Sequence, residues 1–249
     1  MLRTFIHRSV KSVASRLGYT VSRNALVAET CLGDSTLAGA LARLKTRNLA
    51  FQSVIDVGAA VGSWSKSLAD EFPGKRHLLI EANQVHEPKL RVICSRYPRW
   101  DYVLKACGPQ LGSVCFDGTD PFGGQATLHD TGAATDRTEM TTIDHEVQRL
   151  GLESPYLIKL DTHGFEVPIL NGASQSLLHA EALIIEAYNF KISDEAVRFW
   201  DLCSWLQDKG FFPIDMFDIL YRPLDRSLWQ MDLVFVRGSR HELRNHAYQ

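Results

Sequence analysis

Four carboxylates stand where apolar runs stop. Asp56 lies in Ser53-Val54-Ile55-Asp56-Val57, Glu81 follows Leu78-Leu79-Ile80, Asp161 follows Leu157-Ile158-Lys159-Leu160, and Glu186 follows Leu183-Ile184-Ile185. A buried strand has no packing use for an acid at its tip. An acid there can accept hydroxyl hydrogen bonds, hold an ammonium or take a proton. The first acid opens Asp56-Val57-Gly58-Ala59-Ala60-Val61-Gly62, whose small residues let a ligand approach the backbone. The Gly-x-x-x-Gly spacing is not the Gly-x-Gly-x-x-Gly of a dinucleotide pyrophosphate site. It suits a zwitterion instead, with the ammonium on the acid and the carboxylate on the N–H groups of the turn. Glu81, 23 residues after Gly58, can accept both hydrogen bonds of a ribose diol. Amino acid plus nucleoside describes S-adenosylmethionine. The expected binding residues are Asp56, Gly58, Ala59, Gly62 and Glu81, with Ala106 near the end of the third strand. The plainer reading is a strand-to-helix turn with a solubilising acid.

The second neighbourhood is Asp161-Thr162-His163-Gly164-Phe165-Glu166. An alcohol is a weak nucleophile at neutral pH, so methylating one calls for a base, a metal or tight alignment. Asp161 ends its strand, and His163 titrates in the range of a general base. Gly164 permits close approach, and Glu166 opens a helix whose dipole favours an acid. The expected catalytic set is Asp161, His163, Glu166 and Glu186. A capping role competes for Glu166, and a surface position for His163. If Asp161 and Glu186 both point upward from neighbouring strands, a proton, a basic partner or a divalent metal must relieve their repulsion. Asn189 would then be a third oxygen ligand. Lys159 and His163 can neutralise the pair as well, so the metal is not the favoured reading.

Strands alternating with helices must position these residues. Strands are predicted at 53–57, 77–81, 101–107, 156–160, 182–186, 212–216 and 233–236, with 113–116 inside a glycine-rich stretch. Helices are predicted at 37–49, 63–71, 87–97, 165–178 and from Ser193 to Gly210. Near-continuous apolar strands in alternation with helices mean an α/β domain with a mostly parallel sheet. Ligands of such sheets sit at the carboxyl ends of the strands. The stretch 118–132, with Phe122, Gln125, Thr127 and His129, could line an acceptor site. Trp64, Trp100, Trp205 and Trp229 read as packing residues.

The chain has 249 residues, 45% hydrophobic and 22% charged, with a net charge of -2. That is globular usage and excludes a globally basic nucleic-acid binder. Five cysteines at 31, 94, 107, 115 and 203 form no CxxC pair, which fits a reducing compartment and no disulfide scaffold. No apolar stretch is long enough to span a bilayer. Met1 to Ala28 holds no acid but five Arg or Lys residues, with Leu2, Phe5, Ile6, Val10, Val13 and Leu17 at helical spacing. Three readings stay open for this basic amphipathic segment: a helix packed on the domain, a peripheral membrane contact through residues 1–23, or a transit peptide. The expected organisation is a helical extension over 1–50, a main domain over 51–240 and a tail over 241–249.

Leu157-Ile158-Lys159-Leu160-Asp161-Thr162-His163-Gly164-Phe165-Glu166, continuing to Leu170-Asn171-Gly172-Ala173, resembles the FkbM family of methyltransferases. Asp56-Val57-Gly58-Ala59 resembles its first motif. Thr141-Thr142-Ile143-Asp144 resembles its Thr-Leu-Asp, and Met231 to Val236 its final strand. The resemblance covers about 53–237. Ala60 stands where members usually carry Asn, and Ala82-Asn83 where many carry Pro. The resemblance implies a class I methyltransferase (Rossmann-like) fold of seven strands with helices on both faces, and S-adenosylmethionine as donor. It also implies a hydroxyl acceptor, often on a sugar of a glycan, glycolipid or secondary metabolite. A cytoplasmic enzyme with a small-molecule or glycan acceptor and no nucleic-acid partner is therefore expected. The alternatives are an NAD-dependent oxidoreductase or epimerase, which needs glycines missing here, and a non-catalytic cofactor-binding protein, which has no need of Asp161-x-His163.

Overall fold

The computed structural model describes residues 34–129 and 136–248, so the amphipathic segment before Asp34, Cys31 and Gly132 lie outside the described residues. The first helix, α1 (Leu37–Thr46), is capped by Thr36, whose Oγ1 accepts from the Gly39 N–H. Seven strands make the main sheet: β1 (Ser53–Val57), β2 (Arg76–Glu81), β3 (Trp100–Leu104), β8 (Tyr156–Leu160), β9 (Ala180–Tyr188), β10 (Phe211–Tyr221) and β11 (Leu228–Arg237). Their order is β10-β11-β9-β8-β1-β2-β3. Pairings from β9 through β8, β1 and β2 to β3 are parallel, and β11 runs antiparallel to both β9 and β10. The chain leaves β1 for β2 on one side, and β8 closes on its other side. The switch point therefore falls at the carboxyl ends of β1 and β8, where a crevice opens.

Alternation puts one face of each strand into each core. Ile55, Leu78, Ile158, Leu183 and Phe235 are buried together on one face, with Ile169, Leu170 and Leu202 from α5 (Glu166–Asn171) and α7 (Phe199–Gln207). Val54, Leu157, Ile184 and Val234 are buried on the other, with Ala40, Leu41 and Leu44 of α1 and Leu68 of α2 (Ser63–Glu71). Helices thus cover both faces, as the resemblance implies.

Several sequence expectations are corrected. The predicted 101–107 strand is two: β3 stays in the main sheet, while β4 (Ala106–Cys107) joins β5 (Gly112–Asp117), β6 (Gln125–Thr127) and β7 (Asp136–Thr141) in a second sheet of order β4-β7-β5-β6. The predicted 165–178 helix is α5 followed by α6 (Ser174–Leu178). A Cβ at the break, Gly172, would lie 2.1 Å from the Gly108 carbonyl oxygen, so the chain turns where two backbones touch. The predicted long helix from Ser193 begins only at Phe199. Ser193 Oγ accepts from the Ala196 N–H in a local turn, and Glu195 is drawn to β6, accepting from Thr127 Oγ1 at 2.9 Å and the Leu128 N–H at 2.7 Å. Tertiary contacts override the helical spacing there. Between β2 and β3 lies α3 (Glu87–Arg96), as expected, and before β8 lies α4 (Ile143–Leu150).

His77 in β2 is 1% exposed and stacks on Trp100 at 4.3 Å, and neither ring nitrogen has a hydrogen-bond partner. Burial lowers its pKa to about 3. The folded protein holds it neutral while the unfolded chain protonates near the ordinary value. Stability is therefore lost as pH falls from about 6.5 toward 3. Replacing His77 by Phe is expected to raise the melting temperature more at pH 5 than at pH 8. An equal effect at both pH values in parallel melts would contradict this.

Candidate active site

The carboxyl ends of β1, β2 and β8 open on a cavity of about 700 Å³, counted out into its mouth and walled by the second sheet. The turn after β1 is set by backbone geometry. Gly58 has φ +75°, and a Cβ there would lie 1.9 Å from the Asp161 carbonyl oxygen, so only glycine lets the β1 and β8 tips meet. The N–H groups of Gly58 and Ala59 both donate to the Ile80 carbonyl. Ala60 has φ +44°, a left-handed conformation that Asn adopts more readily than Ala.

Glu81 lines the cavity. Its Oε2 accepts from the Ala60 N–H and its Oε1 from the Asn83 N–H, both at 2.7 Å. Each oxygen keeps a second lone pair that can accept a hydroxyl. Gly58, Ala106 and Asp161 also line it. Asp56, Ala59 and Gly62 do not. Asp56 is fully buried: Oδ2 accepts from Ser65 Oγ at 2.7 Å and Oδ1 lies 3.7 Å from Lys159 Nζ. It therefore cannot be the ammonium contact. Gly62 turns the chain into α2, and its α-carbon faces Leu79 and Ile93. Ala60, Asn83, Phe116, Phe122 and Thr162 line the cavity without having been singled out as donor-binding residues. Ala126 comes from a three-residue strand too short to be read from sequence, and Phe116 from the expected 113–116 strand, whose facing the sequence does not give.

One polar ladder runs along the face of Val54, Leu157 and Ile184. Buried Lys159 lies 3.0 Å from Asp161 Oδ2 and 3.7 Å from Asp56 Oδ1. Burial alone would lower its pKa, but the two carboxylates outweigh that and raise it. Burial likewise pushes Asp161 up, yet Lys159 and His163 outweigh it and hold Asp161 below the ordinary carboxylate value. Asp232 faces Glu186 across β11 and β9. Burial, then Glu186, raises its pKa to about 8, so it is mostly a neutral acid at pH 7.

His163 is not a free base. Its φ is +52°, a strained value for a residue with a side chain. Nε2 donates to the Phe122 carbonyl at 2.8 Å, Nδ1 donates to Tyr188 Oη at 2.8 Å, and Nδ1 is 3.2 Å from Glu186 Oε1. Tyr188 Oη in turn donates to Glu186, whose Oε2 also accepts from Gln230 Nε2 at 2.5 Å. Burial favours the neutral ring, but Glu186 and Asp161 outweigh it and raise the pKa to about 9. At neutral pH His163 is an imidazolium with both nitrogens engaged, which corrects its expected role as base. With Asn83 Nδ2 on the Gly118 carbonyl and His86 Nε2 on that of Pro121, it pins the 118–122 loop that walls the cavity.

Glu166 is corrected too. It is buried, and its Oε1 accepts from Thr162 Oγ1 at 3.1 Å and the Gly164 N–H at 3.0 Å, so it braces its own loop from below. Glu186 is buried behind His163 and orients it. The Asn189 amide donates to the Leu228 carbonyl, so Asn189 ties β9 to β11 and does not join Asp161 and Glu186. The third group beside those two acids is His163: one ligand atom from each of Asp161, His163 and Glu186 falls within 4.8 Å of the others. A divalent cation could sit there only by displacing the His163 Nδ1 proton.

The raised pKa predicts a pH signature. The His163–Glu186 pairing stabilises the fold fully below about pH 6.5, and that contribution is lost as pH rises through about 9. Replacing His163 by Gln is therefore expected to lower the melting temperature clearly at pH 6 and far less at pH 10. A gap of constant size would mean that the ring is neutral throughout.

The sequence matches the family described as the methyltransferase FkbM domain over residues 56–213. No curated protein matches it. Among solved structures, TrmK of M. capricolum in complex with S-adenosyl-homocysteine is 9% identical, with 80% of this chain and 68% of that one covered, at a TM-score of 0.47. Magnesium protoporphyrin IX methyltransferase of Synechocystis PCC 6803 with bound SAM is 14% identical, with 81% and 77% covered, at 0.44. Precorrin-6y C5,15-methyltransferase of Geobacter metallireducens is 11% identical, with 80% and 86% covered, at 0.44.

Proposed function

We infer donor, reaction and acceptor class from one premise: the chain belongs to the FkbM methyltransferase family. The reading is an O-methyltransferase that uses S-adenosylmethionine and acts on a hydroxyl of a sugar-like acceptor. The observation that carries it is a single cavity in which Glu81, the Gly58 turn and the Asp161 carboxylate converge. The donor set fits: Glu81 can accept from a ribose diol, and Phe116, Ile80 and Ala106 offer apolar walls for an adenine. Asp161 takes over from Asp56 as the acid for the ammonium end and the reacting region. When bound, S-adenosylmethionine supplies a sulfonium-activated methyl for in-line displacement.

The chain supplies alignment and a proton acceptor. Asp161 accepts the hydrogen bond of the acceptor hydroxyl and fixes its oxygen. That oxygen becomes strongly acidic as its bond to carbon forms, so a carboxylate of lowered pKa is base enough to take its proton. Lys159 keeps Asp161 ionised and oriented. His163, charged and held by Glu186, compensates the two acids and keeps the loop closed against water. Incubating the protein with methyl-labelled donor and fractionated cell glycans and lipids tests the reading. Label on a sugar oxygen is the expected result. Label on nitrogen or carbon, or none in any fraction, would overturn it.

A further inference from the structure

A second cleft opens on the far side of His163 from the donor cavity, and nothing in the donor chemistry uses it. Its floor is aromatic. Trp229 and Phe190 stack at 5.4 Å with their planes 29° apart, and Tyr188 meets Trp229 edge-on at 6.2 Å. The Arg222 guanidinium lies 4.2 Å from the Phe190 centroid and is held there by both oxygens of Asp225, which fixes the ring from one side. Gln125 and Gln230 line the cleft as amides, and Lys191 stands at its rim.

We propose that this cleft is the acceptor subsite, that Trp229, backed by Phe190, is a platform for the apolar face of a pyranose ring, and that Lys191 receives an anionic group on that sugar. The proposal rests on the methyltransferase reading above and deepens it. A half-buried indole backed by a second ring and flanked by amides matches a pyranose, which has one C–H face and an equatorial rim of hydroxyls. Trp229 and Gln230 are neighbours on β11, and Gln230 donates to Glu186, the residue that holds His163. The platform is therefore built into the same strand that sets the reacting end. Two cations besides His163 line the cleft, Arg222 and Lys191, against one carboxylate, Asp120. The charge of Arg222 is matched by Asp225, and both oxygens of that acid are used. Lys191 has no ion-pair or hydrogen-bond partner among the described residues, so an incoming anion meets an uncompensated charge there.

The test is saturation-transfer NMR on the full chain with excess S-adenosylhomocysteine, using glucuronate, glucose 6-phosphate and glucose as probes, on the wild type, Trp229→Ala and Lys191→Ala. Calorimetry with S-adenosylhomocysteine runs alongside. We expect transfer to the axial ring protons of both anionic sugars, at least threefold stronger than to glucose. Trp229→Ala should abolish it for all three probes with nucleoside affinity unchanged, and Lys191→Ala should erase only the preference for the anionic sugars. A preference for glucuronate alone or for glucose 6-phosphate alone supports the subsite and identifies the anion. Equal signals in the wild type and Trp229→Ala, or none in the wild type, overturn the platform. Equal transfer to glucose and the charged sugars overturns the role of Lys191. If S-adenosylhomocysteine itself fails to bind the wild type, the donor reading has failed and not the subsite, because the sugar signals are read separately.

Discussion

Replacing Asp161 by Asn is expected to lower turnover by a factor of about 10² to 10⁴, the usual contribution of a positioned general base, and to weaken S-adenosylhomocysteine by about tenfold or more, because the amide no longer meets the ammonium end with a charge. Among the carboxylates considered, Asp161 alone combines a place on the cavity wall near the reacting end with a third of its side chain open to it, at 34% relative exposure. Asp56, Glu166 and Glu186 are buried, with oxygens committed to Ser65, to Thr162 and Gly164, and to Tyr188 and Gln230. The amide keeps the shape and one acceptor oxygen but cannot take a proton. It also leaves Lys159 with Asp56 as its one counter-charge, so thermal melts must accompany the kinetics. A folded variant with turnover within threefold of wild type would remove Asp161 from the chemistry.

The second large effect belongs to Gly58. An alanine there suffers two penalties. The φ of +75° costs about 1–2 kcal/mol for a residue with a Cβ. The Cβ would also lie 1.9 Å from the Asp161 carbonyl oxygen, and that oxygen belongs to backbone that cannot rotate away. Forced separation of packed groups costs a further 1–3 kcal/mol or so. Gly74 separates the two terms: its φ is +79°, with nothing within 4 Å of a Cβ. Gly58→Ala is therefore expected to melt well below Gly74→Ala, and to lose nucleoside affinity as well, because prising β1 from β8 moves both Ala60 and Asp161. Calorimetry and melts on the pair decide it. Equal melting temperatures with intact binding in both would show that the strand tips tolerate separation.

What could be read from the sequence follows physical lines. Four of the five parallel strands of the main sheet, β1, β2, β8 and β9, are buried on both faces, so Val54-Ile55 or Leu157-Ile158 appear as unbroken apolar runs, and an acid ending such a run is conspicuous. The two-residue β4 and three-residue β6 carry no comparable periodicity, so the wall contributed by Ala126 is not legible, and the 113–116 run marks a strand without saying that Phe116 faces the cavity. Side-chain direction was not legible either. Asp56 and Asp161 both end apolar runs, but Asp56 lies beneath the turn under Lys159 while Asp161 is one step further out. His163 looked like a base because of its intrinsic pKa. Of the acids that charge it, Asp161 is two residues away, but Glu186, which with Tyr188 engages Nδ1, lies more than twenty residues on in another strand, and nothing local announces it. Trp229 was read as packing, although its stacking partner Phe190 follows the strand-ending Glu186 by only four residues.

The central claim is that nucleoside and amino-acid ends of one ligand bridge Glu81 and Asp161 across the Gly58 turn. A crystal of the protein grown with S-adenosylhomocysteine measures this most directly. The account predicts ribose hydroxyls on the Glu81 carboxylate, with the sulfur at the Asp161–Thr162 end, facing the Trp229 cleft. Density for the nucleoside elsewhere, or with its ribose away from Glu81, would contradict it.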